Sequence, residues 1–410
     1  MTAYNLNSVP SNGTGQNIAL FELDGYSNDD ITAYESQFSL PAVPLQNIPV
    51  DGFNGVPNYA LGATEVTLDV ETVAAFAPGS NILVYEAPNT TQSWIDEWTQ
   101  IANDDKASVV SCSWGTPEQD SATINFDNMI FAQMAAQGQA VFVATGDNGA
   151  YDTGDNTTLS IDEPAAQPYV TAVGISSLTT NPDSTYNSET ASVSGGGGVS
   201  VYQTIPSYQA PEASSAVSAS MVSTTMRNVP DVVLAADAST PYAFYINGSW
   251  SGLYGSSISS PIWASFMARV NQGVGTPIGS VNSMLYQLAQ SSTNTNDFNG
   301  ISTGNNGYYP AESGYNDATG LGSFNGGNLY NDMLLCAFPG GDGPGGGNAP
   351  AVPAAPTGVT ATGGNQQVVL SWTASAGATS YKVWQGTDGV QYTNIATVST
   401  SRVTSVAPKA

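Results

Sequence analysis

The sequence predicts an α/β domain in which a parallel sheet is covered by helices on both faces. Short apolar runs alternate along the chain with longer segments whose apolar residues recur at helical spacing. The short runs are continuous rather than polar at every second position, as expected of strands buried on both sides. The rhythm stops at a Gly/Pro-rich stretch, Phe338–Pro356, beyond which the chain alternates in strand fashion.

The runs Gln16–Leu23, Asn81–Ala87, Ala107–Trp114, Ala140–Gly146 and Tyr169–Ile175 are read as the buried strands. Helical patterns lie between them at Ala63–Phe76, Thr91–Asn103 and Ser121–Gln137, and Pro78 stops the first of these. A further helix is expected after Gly255, with Pro261 in its first turn, where a missing N–H is tolerated. The chain therefore divides into an α/β domain at 1–338, a linker at 339–352 and a small all-β module at 353–410. The module has Trp372 and Tyr381 where a small sandwich buries aromatics, and it is similar to a fibronectin type III module. It falls short of the roughly 100 residues of a complete sandwich, so its last strands are expected to be missing. In the parallel α/β class, active sites gather at the carboxyl ends of the strands.

Composition narrows the function. Six Lys+Arg stand against 33 Asp+Glu, with no histidine, for a formal net charge of -27. Nucleic acid is excluded as a partner, because phosphate contacts need Lys and Arg. No apolar run approaches the roughly 20 residues that span a bilayer. The N-terminus lacks the charged-then-apolar pattern of a signal peptide, so the chain is expected to start near a mature end and to be secreted. Only 10% of residues are charged. In acid most carboxylates are neutral, little positive charge remains to repel, and no buried His has to charge; an acidic working environment is expected. Cys112 and Cys336 are the only cysteines, and they leave two readings open: one disulfide, or two small buried apolar residues.

Gly255-Ser256-Ser257 places a serine at a helix start, as a nucleophile often is, but no histidine exists to activate it. On the 63–76 helix, Glu65 and Asp69 are four residues apart and share one face. Carboxylates are welcome near a helix N-terminus, so two solvated side chains would also account for the pair. Placed against Ser257, two coupled carboxyls would share a proton and one pKa would rise. Glu65 backed by Asp69 would then take the serine's proton, as a histidine backed by an aspartate does in the Ser-His-Asp relay. The strand 140–146 runs into Gly146-Asp147-Asn148-Gly149, an ordinary turn composition. In acid, Asp147 would be a neutral donor to an oxyanion, beside the Ser257 N–H at a helix N-terminus.

With these residues the chain resembles the sedolisin family of serine-carboxyl peptidases, in its kumamolisin-like branch. The family's Gly-Thr-Ser-x-x-x-Pro motif stands here as Gly255-Ser256-Ser257-Ile258-Ser259-Ser260-Pro261, its Glu-x-x-x-Asp pair as Glu65 and Asp69, and its Gly-Asp as Gly146-Asp147. Cys112–Gly115, Glu163–Gly174, Ser194–Ser200, Val229–Asp237 and Asn316–Ser323 match further family stretches in the family's order. The resemblance implies a subtilisin-like fold and an acid-active endopeptidase. Ser257 would be the nucleophile, Glu65 the general base and acid, Asp69 its orienting partner and Asp147 the oxyanion donor. Glu22 and Trp114 would form the hydrogen-bond network behind the base. Ser113, Trp114 and Gly115 would pair as a strand with an extended peptide. Gly196 and Gly197 would line the opposite side, where glycine lets a substrate backbone come close. The implied partners are protein or peptide substrates, and a monomer is expected.

No cofactor is implied for the chemistry. The family's structural calcium site falls on Ile301, Gly314 and Asn316, but two aspartates of the family pattern are replaced, by Gly300 and by Asn316 itself. Calcium affinity rises with ligand charge, so the site is expected to be empty or weak; Glu312 and Asp317 are near enough in sequence to substitute. The lost aspartates and the appended module support a second reading, a non-catalytic adhesion or binding protein on a decayed peptidase scaffold. The intact catalytic positions speak against it. An ordinary subtilisin is excluded by the missing histidine. A pepsin-like protease needs two Asp-Thr/Ser-Gly loops in a largely β fold, and Asp152-Thr153-Gly154 supplies one in an α/β context.

Overall fold

The computed structural model describes residues 1–60, 62–118, 121–217, 221–291 and 296–337, and five strands further along the chain. The chain forms two compact units, Met1–Ala337 and Phe338–Ala410. The first unit opens with β1 (Asn17–Glu22), α1 (Asn28–Phe38), β2 (Leu45–Pro49), α2 (Ala63–Phe76), β3 (Asn81–Glu86), α3 (Thr91–Asp104) and β4 (Val109–Cys112). It continues with β5 (Thr116–Pro117), α4 (Ser121–Gln137), β6 (Ala140–Ala144), β7 (Asp162–Glu163), β8 (Thr171–Thr180), β9 (Tyr186–Ala191), β10 (Gly198–Thr204), α5 (Ala210–Ser215), β11 (Met226–Val229) and β12 (Val232–Ala235). Last come β13 (Tyr242–Ile246), β14 (Ser249–Leu253), α6 (Ser256–Val274), α7 (Asn282–Ala289), β15 (Phe298–Asn299), β16 (Ser323–Phe324) and α8 (Gly326–Ala337).

The central sheet has the order β12-β8-β6-β4-β1-β3-β2, all parallel, with β9 antiparallel on β8. Side chains of a strand point alternately to its two faces, and β1 shows why both faces are apolar. Ile18 and Leu20 pack with α2 and α6, whereas Ala19 and Phe21 pack with α3 and α4. Trp98 of α3 stacks on Phe21, with ring centroids 4.5 Å apart. Glu22 is in phase with Ile18 and Leu20, so the last side chain of β1 enters the α2–α6 layer. The neighbours β1, β4 and β6 lie side by side, so the segments leaving their carboxyl ends converge on one place.

The helix expected at 63–76 has those bounds, and the strand segments agree to within a few residues. Two expectations need correction. The strand expected to reach Trp114 ends at Cys112, leaving 113–115 as irregular chain before the short pairing of Thr116 with Glu163. Pro261 is the sixth residue of α6, not part of its first turn. Cys112 and Cys336 are free; Cys112 is buried on the α3–α4 face, while Cys336 packs on the opposite layer. Among the described residues no helix is long and apolar enough to cross a membrane.

In the second unit, β17 (Thr357–Gly364), β18 (Gln367–Thr373) and β21 (Arg402–Val406) pair antiparallel, as do β19 (Tyr381–Gly386) and β20 (Tyr392–Val398). The linker expected at 339–352 lies outside the described residues.

Candidate active site

The chain enters α6 through Gly255, whose φ of 136° favours glycine. A Cβ there would also lie 2.6 Å from Asp147 Oδ2. Ser256 and Ser257 are the first helical residues, so their N–H groups have no intrahelical acceptor. Asp147, in the loop after β6, accepts the Ser256 N–H at 2.7 Å and the Ser256 hydroxyl at 2.9 Å, both on Oδ1. It caps the helix from a distant part of the chain. Pro261 has no N–H to offer the Ser257 carbonyl one turn back. Ser113 Oγ approaches that carbonyl at 3.2 Å and the two Asp69 oxygens at 2.9 and 3.0 Å.

The half-buried Ser257 hydroxyl lies beside the half-buried Glu65 side chain and favours its charged form. Glu65 Oε1 is closed off from solvent without a partner. One turn further along α2, Asp69 is fully buried, and its carboxyl bonds to that of Glu22, also fully buried. Two carboxyls bond in this way only with a proton between them. Glu22 Oε2 also accepts the Trp114 indole N–H at 2.9 Å. The Trp114 ring lies against the start of α2, where a Cβ on Gly62 would come within 2.6 Å of it. Burial is the main influence on all three acids. It lifts Glu65 to about 7 against the opposing influence of the Ser257 hydroxyl, and it lifts Asp69 and Glu22 well above the usual carboxyl range. A solvated pair on a helix face is therefore ruled out for Glu65 and Asp69.

Asp147 is exposed to solvent, with protein packed closely around its carboxyl. Burial raises its pKa, and the two Ser256 bonds oppose the rise. Beneath it lie two further acids. Asp152 is lifted to about 6 by burial and the charge of Asp147, and Asp162 is lifted well above the usual range by burial and both neighbours. Gly146 and Gly115 sit directly on this cluster, since a Cβ would lie 2.5 Å from Asp152 Oδ1 at Gly146 and 2.2 Å from Asp162 Oδ1 at Gly115.

Ser257, Glu65, Asp69, Glu22, Trp114 and Ser113 thus form one connected network, and Asp147 joins the start of α6 beside it. Sequence reasoning missed Ser256, the donor that holds Asp147, and Glu97, whose Oε1 accepts the Glu22 N–H at 2.7 Å. Glu97 carried a signal. It stands between the buried Trp98 and Ile101 and the half-buried Trp94 on the core stripe of α3, a place that does not suit a solvated carboxylate. Asp162 carried none. Gly196 and Gly197 are buried, and the space a side chain would need is filled by the Thr145 carbonyl at 1.7 Å and the Asp317 carbonyl at 2.3 Å. These glycines are demanded by the chain's own packing.

The loop on which the family's calcium site falls brings Ile301, Gly314 and Asn316 together through hydrogen bonds. The Asn316 Nδ2 donates to the carbonyls of Glu312, Gly314 and Ile301 at 3.0, 3.3 and 3.4 Å. Among the described residues no group of three or more acidic, His or Cys side chains is placed to hold a metal ion. The residues present do not fit the family's calcium.

The topology, with a helix-start serine over the carboxyl ends of parallel strands, is that of the subtilisin-like α/β proteins. Residues 59–322 match the Subtilase family (Peptidase_S8). The chain is 37% identical over 331 residues to kumamolisin of Bacillus sp. (strain MN-32), covering 76% of this chain and 58% of kumamolisin. It is 29% identical over 354 residues to sedolisin of Pseudomonas sp. (strain 101), covering 78% and 58% of the two. A solved Pseudomonas sedolisin, a serine-carboxyl proteinase complexed with two molecules of pseudo-iodotyrostatin, aligns with a TM-score of 0.74 at 28% identity, over 82% of this chain and 97% of that one. The chain belongs to the subtilase family, and within it to the sedolisins of kumamolisin type. It spans little more than half the length of kumamolisin and sedolisin.

Proposed function

We propose that the chain is an acid-active serine-carboxyl endopeptidase that works outside the cell, as a monomer, on protein or peptide substrates. The observation that carries this reading is the half-buried Glu65 carboxylate beside Ser257 at the start of α6, in a chain without histidine. Ser257 Oγ attacks the scissile carbonyl carbon as its proton passes to Glu65. The oxyanion accepts hydrogen bonds from the protonated Asp147 and from the Ser257 N–H. Glu65 gives its proton to the leaving nitrogen, the C–N bond breaks, and an acyl-enzyme remains on Ser257. Water, deprotonated by Glu65, attacks the ester; the proton returns to Ser257 and the acid product leaves. In acid, where burial keeps both Asp69 and Glu22 protonated, that pair sets no charge against Glu65, so the charge of these three acids can reside where the serine's proton is taken.

The irregular chain at 113–115, half-buried to exposed and outside the sheet, is where an extended substrate would pair. Gly196 and Gly197 hold the opposite wall in place from within, and the half-exposed Ser194 and exposed Val193 form its edge. The two antiparallel strand groups of the second unit support a partial fibronectin type III-like module, used as a spacer or for docking to substrate or surface.

Incubation with a denatured protein from about pH 2 to about pH 7 tests the proposal. Cleavage should peak in acid and be indifferent to pepstatin. A folded chain that cleaves at no pH would transfer the weight to the binding-protein reading. Asp147 gives a sharper check. Asp147→Ala should lower kcat by about 10²–10³, the usual worth of one oxyanion donor. Asp147→Asn keeps an N–H donor and the acceptor for Ser256; it should recover most of that loss and extend activity toward neutral pH, because an amide does not ionise. Equal kcat for Asp147→Ala and the native chain would remove Asp147 from the mechanism.

A further inference from the structure

We infer that the Asn316 side-chain amide is a built-in replacement for the calcium ion, so this loop needs no metal. Three carbonyl oxygens, from Ile301, Glu312 and Gly314, converge on one point. Carbonyls cannot donate to one another, so such a cluster needs a cation or a donor at its centre. Here the Asn316 Nδ2 supplies the donor. Its orientation is not arbitrary. Oδ1 accepts the Ala318 N–H at 3.2 Å, the Thr319 N–H at 3.0 Å and the Thr319 hydroxyl at 3.0 Å. Rotating the amide by half a turn would set an N–H₂ against three donors and an oxygen against three carbonyls. Both ends of the side chain are satisfied in one orientation only, and the side chain is buried.

The surroundings agree. Gly300, where the family pattern has an aspartate, is exposed, and a Cβ there would meet nothing within 4 Å. The position is open to a larger residue, so the absence of a carboxylate there is not imposed by space. Asp317 is buried, but its electrostatic neighbours are Arg227, Tyr309 and Tyr315 rather than this loop's carbonyls. The exchange also fits an acidic setting. Carboxylate ligands release calcium when they are protonated, whereas an amide bonded to carbonyls keeps its bonds at any acidity.

The test is thermal unfolding of the full chain at about pH 5.5, in excess EGTA and in millimolar calcium. The native chain should unfold at the same temperature in both. Asn316→Asp turns the donor into an acceptor facing three carbonyls. In EGTA it should lose at least about 5 °C in Tm, and calcium should restore part of the loss. Adding Gly300→Asp to it should strengthen that calcium response, whereas Gly300→Asp alone, with the amide still in place, should show none. A native Tm that falls in EGTA, or an Asn316→Asp chain as stable as the native one without calcium, would overturn the inference. If Asn316→Asp does not fold without calcium, the native chain and Gly300→Asp still decide the question.

Discussion

Ser257→Ala is expected to reduce peptide cleavage by roughly 10⁴–10⁶-fold, the cost of removing a nucleophile from a connected catalytic group, while unfolding at the native temperature. The hydroxyl is half-buried, at the start of α6 rather than in the core, so its loss leaves no cavity there. Glu65→Gln keeps the shape and loses the base, with an expected fall of about 10²–10⁴ in kcat. The pH profile separates the two acids. Turnover needs Glu65 charged and Asp147 neutral. Burial puts Glu65 near 7 and raises Asp147. The two requirements give a bell-shaped profile, with one limb set by Glu65 and the other by Asp147. Activity that survives Ser257→Ala would mean that another residue attacks the substrate, and an optimum above neutrality would contradict the assigned states.

The second large effect is on stability. Heating the chain at a series of pH values should show Tm highest near about pH 4 and lower by at least about 10 °C near pH 7. Burial lifts Asp127 to about 6, Glu86 to about 7, Glu71 to about 9 and Glu163 to about 10. Among the described residues no cation offsets these charges. In the first unit Lys106 pairs with Asp104, Arg227 with Asp231, and Arg269 donates to the carbonyls of Ser11 and Val9. The folded pKa values lie above the unfolded ones, so the folded chain holds protons that the unfolded chain has released. The stability is complete below the ordinary values near 4 and is lost as pH rises through the folded ones. Each retained proton costs about 1.4 kcal/mol per pH unit. Four such groups, even with half the effect screened away, rival the about 5–15 kcal/mol that hold a typical domain together. The exposed Asp155 and Asp183 shift the other way, through bonds from Thr158 and Thr185, but at the surface. Glu163→Gln should raise Tm near pH 7 and leave it unchanged near pH 4, because the amide can still bond Gln167 and Asp127. A Tm that stays level or rises toward neutrality would refute the account.

Much of the site was legible because its parts are local signals. Glu65 and Asp69 share a face by helical spacing, and α2 has the bounds its apolar periodicity sets. Ser257 follows a glycine at a helix start, and Asp147 follows a buried strand. The partnerships were not legible from periodicity. Ser113 meets Asp69 across 44 residues of chain, Trp114 meets Glu22 across 92, and Ser256 meets Asp147 across 109. A motif resemblance proposed some of these pairings, but it could not show which atoms bond, nor that Glu97 stands behind Glu22. Gly196 is ambiguous in sequence for a related reason. A glycine marks a place where something comes close, but not whether the visitor is substrate or the chain's own carbonyl.

By itself, then, the sequence determined a parallel α/β unit, an acid-tolerant composition without histidine, and a serine with carboxylate partners at set positions. These depend on residue type and on spacing within single elements. The tertiary structure decided the rest. It chose which carboxyls are buried together and hence share protons, which oxygen of Asp147 caps α6, and that an amide fills the carbonyl cluster at Asn316. Those outcomes depend on strand order and on burial, which bring distant residues within about 3 Å and remove water from between them.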